Sequence, residues 1–305
     1  EEERPVYGIS TGFGDFSKVF IEKSKRAKLQ RNLILSHATG VGEYFSKDIV
    51  RAAMLLRANS LAKGYSGIRL DTVKMLLAML NKDITPAIPN KGSVGASGDL
   101  APLSHMVLVM LGEGKAYVGG KLISGREALN NAGLDPIVLS GKEGLALING
   151  TPVLTAVGAM ALWDGICLLK LSDVAAALSA EAMRGIIDAY DERIHVIRPH
   201  KGQLDTARNM RELLKNSTLI TRQGELRVQD PYSIRCVPQV HGASKDSLAF
   251  VKEKVEIEKE TEVFNYKDYI TFVAETFEHK TDTKFVKIGE KEYKMTYEIE
   301  KEKFS

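Results

Sequence analysis

Cysteine is nearly absent: Cys167 and Cys236 are the only two in 305 residues. Two thiols make neither a disulfide framework nor a cysteine metal site, which suits a reducing cytoplasm. Both are expected as buried fillers rather than nucleophiles, because buried thiols pack as small hydrophobes. A dominant charge is lacking as well, since 42 Lys+Arg oppose 39 Asp+Glu for a net +3. No basic cluster is interleaved with aromatics as along a nucleic-acid groove, so a nucleic-acid partner is disfavoured. The most apolar run, Pro152 to Trp163, is short for a bilayer and is followed by Asp164, Lys170 and Asp173. It reads as a buried helix of a soluble protein, with no membrane partner. Glu1-Glu2-Glu3-Arg4 has no apolar core of a signal peptide, and a cytoplasmic location is expected. Metal-ligand spacing is missing around His105 and His241, which are read as structural.

What is present is a hydrophobic share of 44%, enough for a large core and one to two domains. Apolar residues recur at helical spacing through Ile49, Ala53, Met54, Ala58 and Leu61, through Val73, Leu76, Leu77 and Leu80, and from Leu154 to Ala177. The fold is therefore mainly α. Tyr117-Val-Gly-Gly-Lys-Leu-Ile123 predicts a small β-hairpin, and Thr85-Pro86, Ile88-Pro89-Asn90 and Gly120 predict turns. From about Lys252 the chain becomes dense in Lys and Glu, and Lys284 to Glu290 alternates as a β-hairpin does. Residues 1–258 are read as a helical body and 259–305 as a short charged α+β tail.

Gly92-Ser-Val-Gly-Ala-Ser-Gly-Asp-Leu-Ala-Pro-Leu-Ser-His105 carries the chemistry. Asp99 suits the first turn of a helix and Pro102 fits only within that turn. A glycine-rich turn capping a helix is the bland reading. Ala96-Ser97-Gly98 adds a specific possibility. If the loop bends tightly, the Gly98 nitrogen attacks the Ala96 carbonyl carbon, a five-membered ring closes, and loss of water from Ser97 leaves a methylidene. Glycine leaves its nitrogen unhindered, alanine is small, and serine supplies the leaving hydroxyl. The product is an electrophile that no ordinary side chain provides.

Several separated motifs carry a family resemblance: Tyr7-Gly-Ile-Ser-Thr-Gly-Phe-Gly14, Asn32-Leu-Ile-Leu-Ser-His-Ala-Thr-Gly40, the Ala-Ser-Gly loop, Lys142-Glu-Gly-Leu-Ala-Leu-Ile-Asn-Gly-Thr151 and Gln229-Asp-Pro-Tyr-Ser-Ile-Arg-Cys-Val-Pro-Gln239. Over about 4–258 the chain resembles the aromatic amino-acid ammonia-lyases and aminomutases, most closely their histidine ammonia-lyase branch. The tail is not matched. The resemblance implies an all-helical fold of which this is the N-terminal region, incomplete at both ends. It implies a 4-methylidene-imidazol-5-one (MIO) group made from Ala96, Ser97 and Gly98, with no metal. It also implies a homotetramer whose active site is shared, with the Tyr7 loop and the Tyr232-to-Arg235 segment coming from different subunits.

The same resemblance implies roles. Tyr7 is the candidate base, Arg235 the carboxylate ligand, and Asn149, Tyr232 and Gln229 are hydrogen-bond partners of the prosthetic group or the substrate. Ser36-His37 is similar to the imidazole-reading pair of members that act on histidine, whereas phenylalanine enzymes carry apolar residues there. The implied reaction is elimination of ammonia from L-histidine to trans-urocanate. A phenylalanine or tyrosine lyase or aminomutase, or a non-catalytic remnant, is the alternative.

Overall fold

A computed structural model of the chain describes residues 5–95, 98–259, 285–288 and 291–294. The regular apolar spacing becomes helix: α1 (Arg26–His37), α2 (Lys47–Ala62), α3 (Leu70–Asn81) and α4 (Leu100–Met110) come first. α2 buries Val50, Ala53, Met54, Arg57, Ala58 and Leu61, a stripe at spacings of three and four. α3 buries Val73, Leu76 and Leu80 together with Met75 and Met79. α4 is buried nearly all round, as its unbroken apolar sequence requires. Ile34, Met54, Leu76, Met79, Leu103 and Met106 are fully buried, and each such side chain contributes roughly 1.5–3 kcal/mol.

Short strands brace this core. β1 (Val41–Tyr44), β2 (Thr85–Pro86), β3 (Pro89–Lys91), β4 (Lys115–Val118) and β5 (Lys121–Ser124) form one antiparallel β1-β3 pair and one sheet of order β2-β4-β5. The hairpin predicted at Tyr117–Ile123 is β4-β5, turning at Gly119 and Gly120 with φ of 55° and 78°. Two positive φ values in succession suit the twist of a two-residue hairpin loop. Thr85-Pro86 and Pro89-Asn90, predicted as turns, are strand residues instead. Pro86 pairs with Ala116 on an edge strand, where its missing N–H leaves no ladder bond unmade.

The remaining helices are α5 (Gly125–Asn131), α6 (Glu143–Ile148), α7 (Pro152–Ala182), α8 (Glu192–Val196), α9 (Lys201–Leu213), α10 (Tyr232–Arg235) and α11 (Val237–Lys259). α2 packs on α3 and α7, while α9 and α11 pack on the far part of α7. There Ala177, Ala180, Tyr190, Met210, Leu214, Ile234 and Val237 form one apolar cluster.

The prediction of a buried helix from Pro152 needs correction. α7 is a 31-residue helix that buries only Pro152, Val153, Ala156, Leu162, Asp173, Ala177 and Ala180. Leu154 is 66% exposed, Leu168 64% and Leu178 52%. Apolar residues lie all round it, and its neighbours cover only part of its circumference. By length and composition alone the stretch Glu143–Ala182 could cross a membrane. Its Asp173, however, is buried against protein: Oδ1 lies 2.9 Å from Nδ1 of His241, and Oδ2 accepts from Asn209 at 2.8 Å and from Lys245 at 2.5 Å. The two cysteines are half-buried and free, not the buried fillers predicted, because Cys167 sits on this incompletely covered helix and Cys236 follows α10.

By their contacts the residues divide into two units, Glu1–Glu260 and Thr261–Ser305. Within the second, β6 (Phe285–Ile288) and β7 (Lys291–Lys294) pair antiparallel. The rest of the predicted tail, 260–284, 289–290 and 295–305, lies outside the described residues.

One carboxylate ties α3 to α6. Glu143 is buried and accepts from the Arg69 backbone N–H, Nε and Nη2, from Thr72 Oγ1 and from the Ser140 N–H, at 2.6–3.1 Å. Burial alone would raise its pKa. The bonds from Arg69, Ser140 and Thr72 outweigh that and hold it below the ordinary 4.5. A depressed carboxylate pKa gives stability that is present above 4.5 and lost as the pH falls through the folded-state value. Glu143→Gln should therefore lower stability at neutral pH by about 1.5–3 kcal/mol, the worth of hydrogen bonds to a charged group. Urea melts of both proteins at a series of pH values check this. The gap must narrow under acid, and a constant gap would show that the charge of Glu143 contributes nothing.

Candidate active site

The Ala-Ser-Gly loop is anchored at its Gly98 end. Ala96 and Ser97 lie outside the described residues; Gly98 and Asp99, which follow them, are buried and packed against Gly150. Gly98 has φ of 109°, a conformation that L side chains rarely adopt. A Cβ there would also run into the backbone of Gly150, 2.6 Å from its nitrogen and 2.8 Å from its carbonyl carbon. The next N–H, of Asp99, donates to the Gly150 carbonyl at 2.7 Å. The Asp99 side chain is 3% exposed. Oδ2 accepts from the N–H groups of Val153 and Leu154, both at 2.9 Å, and Oδ1 from Ser93 Oγ at 2.9 Å. Asp99 thus caps the start of α7, where free N–H groups and the helix dipole favour a carboxylate. Pro152 at the first position of α7 needs no such partner.

Gly150 is held in turn by α2. Arg57 Nη2 donates to the carbonyl of Ala146 and, at 2.8 Å, to that of Asn149. A Cβ on Gly150 would lie 2.5 Å from Arg57 Nη1. Burial lowers the Arg57 pKa to about 10, so it remains a cation at neutral pH. Its Nε is buried without a hydrogen-bond partner. Asn149 follows α6 with its side chain exposed.

Tyr7 and His37 border the same region. Tyr7 is 52% exposed; its phenol oxygen accepts from the Gly14 N–H at 3.1 Å, and its ring meets that of Phe13 edge to face at 6.0 Å. Buried Gln30 joins this loop to α6, donating to the Gly8 carbonyl at 3.3 Å and accepting from the Gly144 N–H at 2.9 Å. His37 is the last residue of α1 and is half-buried. Its Nδ1 lies 2.9 Å from the Leu33 carbonyl oxygen and 3.1 Å from Ser36 Oγ; the tautomer that donates from Nδ1 to that carbonyl leaves Nε2 as an acceptor. Nearby, the Gly40 N–H donates to His105 Nε2 at 3.0 Å. Burial lowers the His105 pKa, consistent with a neutral imidazole held as a structural acceptor. The Gly40 Cα is 3.0 Å from where a Cβ on Gly92 would stand, which sets the His37 segment against the near end of the loop.

Gln229, Tyr232 and Arg235 form a second group. Buried Asp230 fixes it from below, accepting from the Ile186 N–H and from Arg227 Nε, each at 2.6 Å. Tyr190, buried, donates its hydroxyl to the Ile234 carbonyl at 2.9 Å; burial, with the Asp230 charge, raises the pKa of this phenol, which stays neutral. With Asp230 and Ile234 turned inward, Gln229, Tyr232 and Arg235 face out. Tyr232 is 72% exposed, and the Arg235 guanidinium lies over its ring at 4.3 Å. A guanidinium only donates, so the Gln229 amide presents its oxygen and accepts from Arg235 Nη2, Nη1 and Nε at 2.8, 3.0 and 3.1 Å.

The two groups do not meet within one chain. Asp99 caps the first turn of α7, while Asp230 binds Ile186, just beyond its last turn. The 31 residues between set them roughly 45 Å apart at 1.5 Å per residue. Sequence reading had no role for Arg57, Gln30 or Asp230. A signal did exist for Arg57, which falls in register with the apolar stripe of α2 where a charged residue is out of place. His241 keeps the structural reading through its contact with Asp173. Among the described residues, no group of three or more His, Cys, Asp or Glu could hold a metal ion.

The family described as aromatic amino acid lyase matches residues 1–262. The chain is 61% identical over 258 residues to a histidine ammonia-lyase of Alkaliphilus oremlandii, a match covering 85% of this chain and 51% of that protein. A phenylalanine aminomutase of Pantoea agglomerans superposes with a TM-score of 0.79 at 37% identity, covering 83% of this chain and 52% of its own. A histidine ammonia-lyase from Trypanosoma cruzi superposes with a TM-score of 0.75 at 42% identity, covering 84% and 47%. The chain spans about half the length of the curated relatives it matches. With a family match over most of its length and a helical fold shared with solved members, the chain belongs to the aromatic amino acid lyase family.

Proposed function

We propose that this chain supplies part of an ammonia-lyase that converts L-histidine to trans-urocanate and ammonia, in histidine catabolism in the cytoplasm, as a homo-oligomer, a tetramer by resemblance. The observation that carries the reading is the fit of Gly98 against Gly150. A ring closing the Gly98 nitrogen onto the Ala96 carbonyl is favoured by a residue 98 without a Cβ and by a braced base, and the close approach of Gly98 to Gly150 with the Asp99 N–H bonded to the Gly150 carbonyl supports that reading. Ala96, Ser97 and Gly98 would form the MIO, with the Gly150 backbone and the Asp99 cap holding it. Once formed, it supplies an electrophile that draws electron density from the substrate.

The chain's own residues do the rest. The Tyr7 phenol oxygen takes the substrate's β-proton, and the Gly14 N–H that donates to it suits an oxygen bearing negative charge. The C–H pair becomes the new double bond as the α-amino group leaves with its electrons. His37 Nε2, left as an acceptor, reads the N–H of the substrate imidazole. Arg235 holds the carboxylate, with Gln229, Tyr232 and Asn149 as hydrogen-bond partners. Separation of the two groups along α7 supports a site built from two copies, one giving Tyr7, His37, Asn149 and the loop and another giving Gln229, Tyr232 and Arg235. Exposed Leu154, Leu168, Val240 and Phe250 offer apolar surface for that assembly.

The intact mass of the purified chain tests the chemistry. Two waters below the sequence mass supports the reading; the unaltered mass would point to a non-catalytic remnant. Substrate choice is tested by His37→Leu, which should weaken turnover of histidine while sparing or improving that of phenylalanine. The expected discrimination is about 1–3 kcal/mol for a polar contact exchanged for an apolar one. An equal loss on both substrates would remove the ground for choosing histidine over phenylalanine or tyrosine, for a lyase or an aminomutase alike.

A further inference from the structure

We propose that Arg57 is a positioning residue for closure of the Ala96-Ser97-Gly98 ring, an inference that rests on the reading above. Gly150 is sandwiched between Arg57 on one side and Gly98 on the other, close enough that a Cβ on either glycine would collide with its neighbour. Arg57 bonds to the carbonyls of Ala146 and Asn149, which fixes the end of α6 and the turn that follows it. That turn is the surface against which Gly98 is pressed and to which the Asp99 N–H is bonded. The guanidinium therefore sets where the base of the loop stands without touching the reacting atoms.

Closure itself balances within the loop. The Gly98 nitrogen bonds to the Ala96 carbonyl carbon, and that carbonyl's oxygen leaves as water with the protons of the Gly98 and Ser97 nitrogens. Ser97 then loses its hydroxyl and its α-proton as a second water. The bond-forming step needs the Gly98 nitrogen held close to the Ala96 carbonyl carbon, so a base that gives way by an ångström loses the near-attack geometry.

A buried cation whose partners are main-chain carbonyls and whose Nε–H has none is a poor device for stability. Arg57→Met keeps the apolar stripe of α2 and removes only the donors to the Ala146 and Asn149 carbonyls, while Arg57→Lys keeps the charge and loses the fork. Circular dichroism and melting of these two variants read stability, and intact mass reads maturation, on the same preparations.

The full 305-residue chain, as parent, Arg57→Lys and Arg57→Met, is made by cell-free synthesis and sampled over time by intact mass, with far-UV circular dichroism and thermal melts on each product. The parent is expected to lose two waters. Both variants are expected to fold with the parent's helix content and a cooperative melt. They should lose the waters on the order of tenfold to a hundredfold more slowly, the cost of a small misplacement of reacting groups. Folded variants that mature at the parent's rate would overturn the role of Arg57 alone. Failure of both variants to fold would also overturn it, since Arg57 would then carry the fold rather than the loop. A parent that keeps its sequence mass would sink the underlying reading as well.

Discussion

The chain carrying Ser97→Ala is expected to fold with the parent's helix content and melting behaviour, to give no ammonia from L-histidine, and never to lose two waters. The β-proton of an amino acid is barely acidic, and general base catalysis by a placed side chain contributes only about a hundredfold to ten-thousandfold. In the proposed mechanism Tyr7 alone is therefore insufficient, and the electron sink would come from the loop. Alanine at 97 has no hydroxyl to eliminate, so at most the ring-closing water can leave. The fold should not notice, because the base of the loop is fixed by Gly98, Asp99 and Gly150, and the residues from Lys91 to Gly95 are exposed. Intact mass and an ammonia assay on the same preparation check the prediction together. Parental turnover by a folded Ser97→Ala protein would refute the chemistry whatever the mass.

Much of this was legible before any coordinates, for physical reasons particular to each segment. The stripe of α2 and the glycine pair of the β4-β5 hairpin are local signals, set by a side-chain period or by a φ only glycine supplies, and both appear as predicted. Pro86 and Pro89 misled because a proline marks a turn or an edge strand equally well, and only the partner strand decides. α7 misled for the opposite reason. Its apolar sequence was read as a buried helix, whereas much of that surface remains open in the described unit.

The site divides along the same line. Tyr7, His37, Asn149, Tyr232 and Arg235 were named from motifs, but what holds them was not, because each support crosses between segments far apart in sequence. Asp99 reads as a first-turn acid of α4, yet it spends its carboxylate on the N–H groups of Val153 and Leu154 at the start of another helix. Asp230, inside the Gln229-to-Gln239 motif, anchors the backbone at Ile186 while its neighbours face out. A motif of this kind mixes residues that present chemistry with residues that fix the main chain, and only burial tells them apart.

Arg235→Ala is expected to lower kcat/KM for every amino-acid substrate alike, by roughly 2–5 kcal/mol for a hydrogen-bonded charge pair lost at a desolvated site. That is a factor of about thirty to several thousand. The equality across substrates follows from what Arg235 would hold, since the carboxylate is common to all of them, while His37 would read only the ring. Arg235→Lys should recover little. It keeps the charge but loses the planar fork, the stacking on the Tyr232 ring and the shared bonds to the Gln229 oxygen. Because Arg235 and Tyr7 sit at opposite ends of α7, their losses should complement. Tyr7→Phe chains and Arg235→Ala chains, each strongly impaired alone, should show turnover well above either when unfolded together and reassembled, since some sites then receive an intact Tyr7 from one chain and an intact Arg235 from another. The comparison requires the enzyme in its active assembly, with parental chains carried through the same unfolding as the control for recovery. No gain on mixing, with the parental control recovered, would mean that Tyr7 and Arg235 serve one site from the same chain or that Arg235 serves none, and the two-copy site would have to be abandoned.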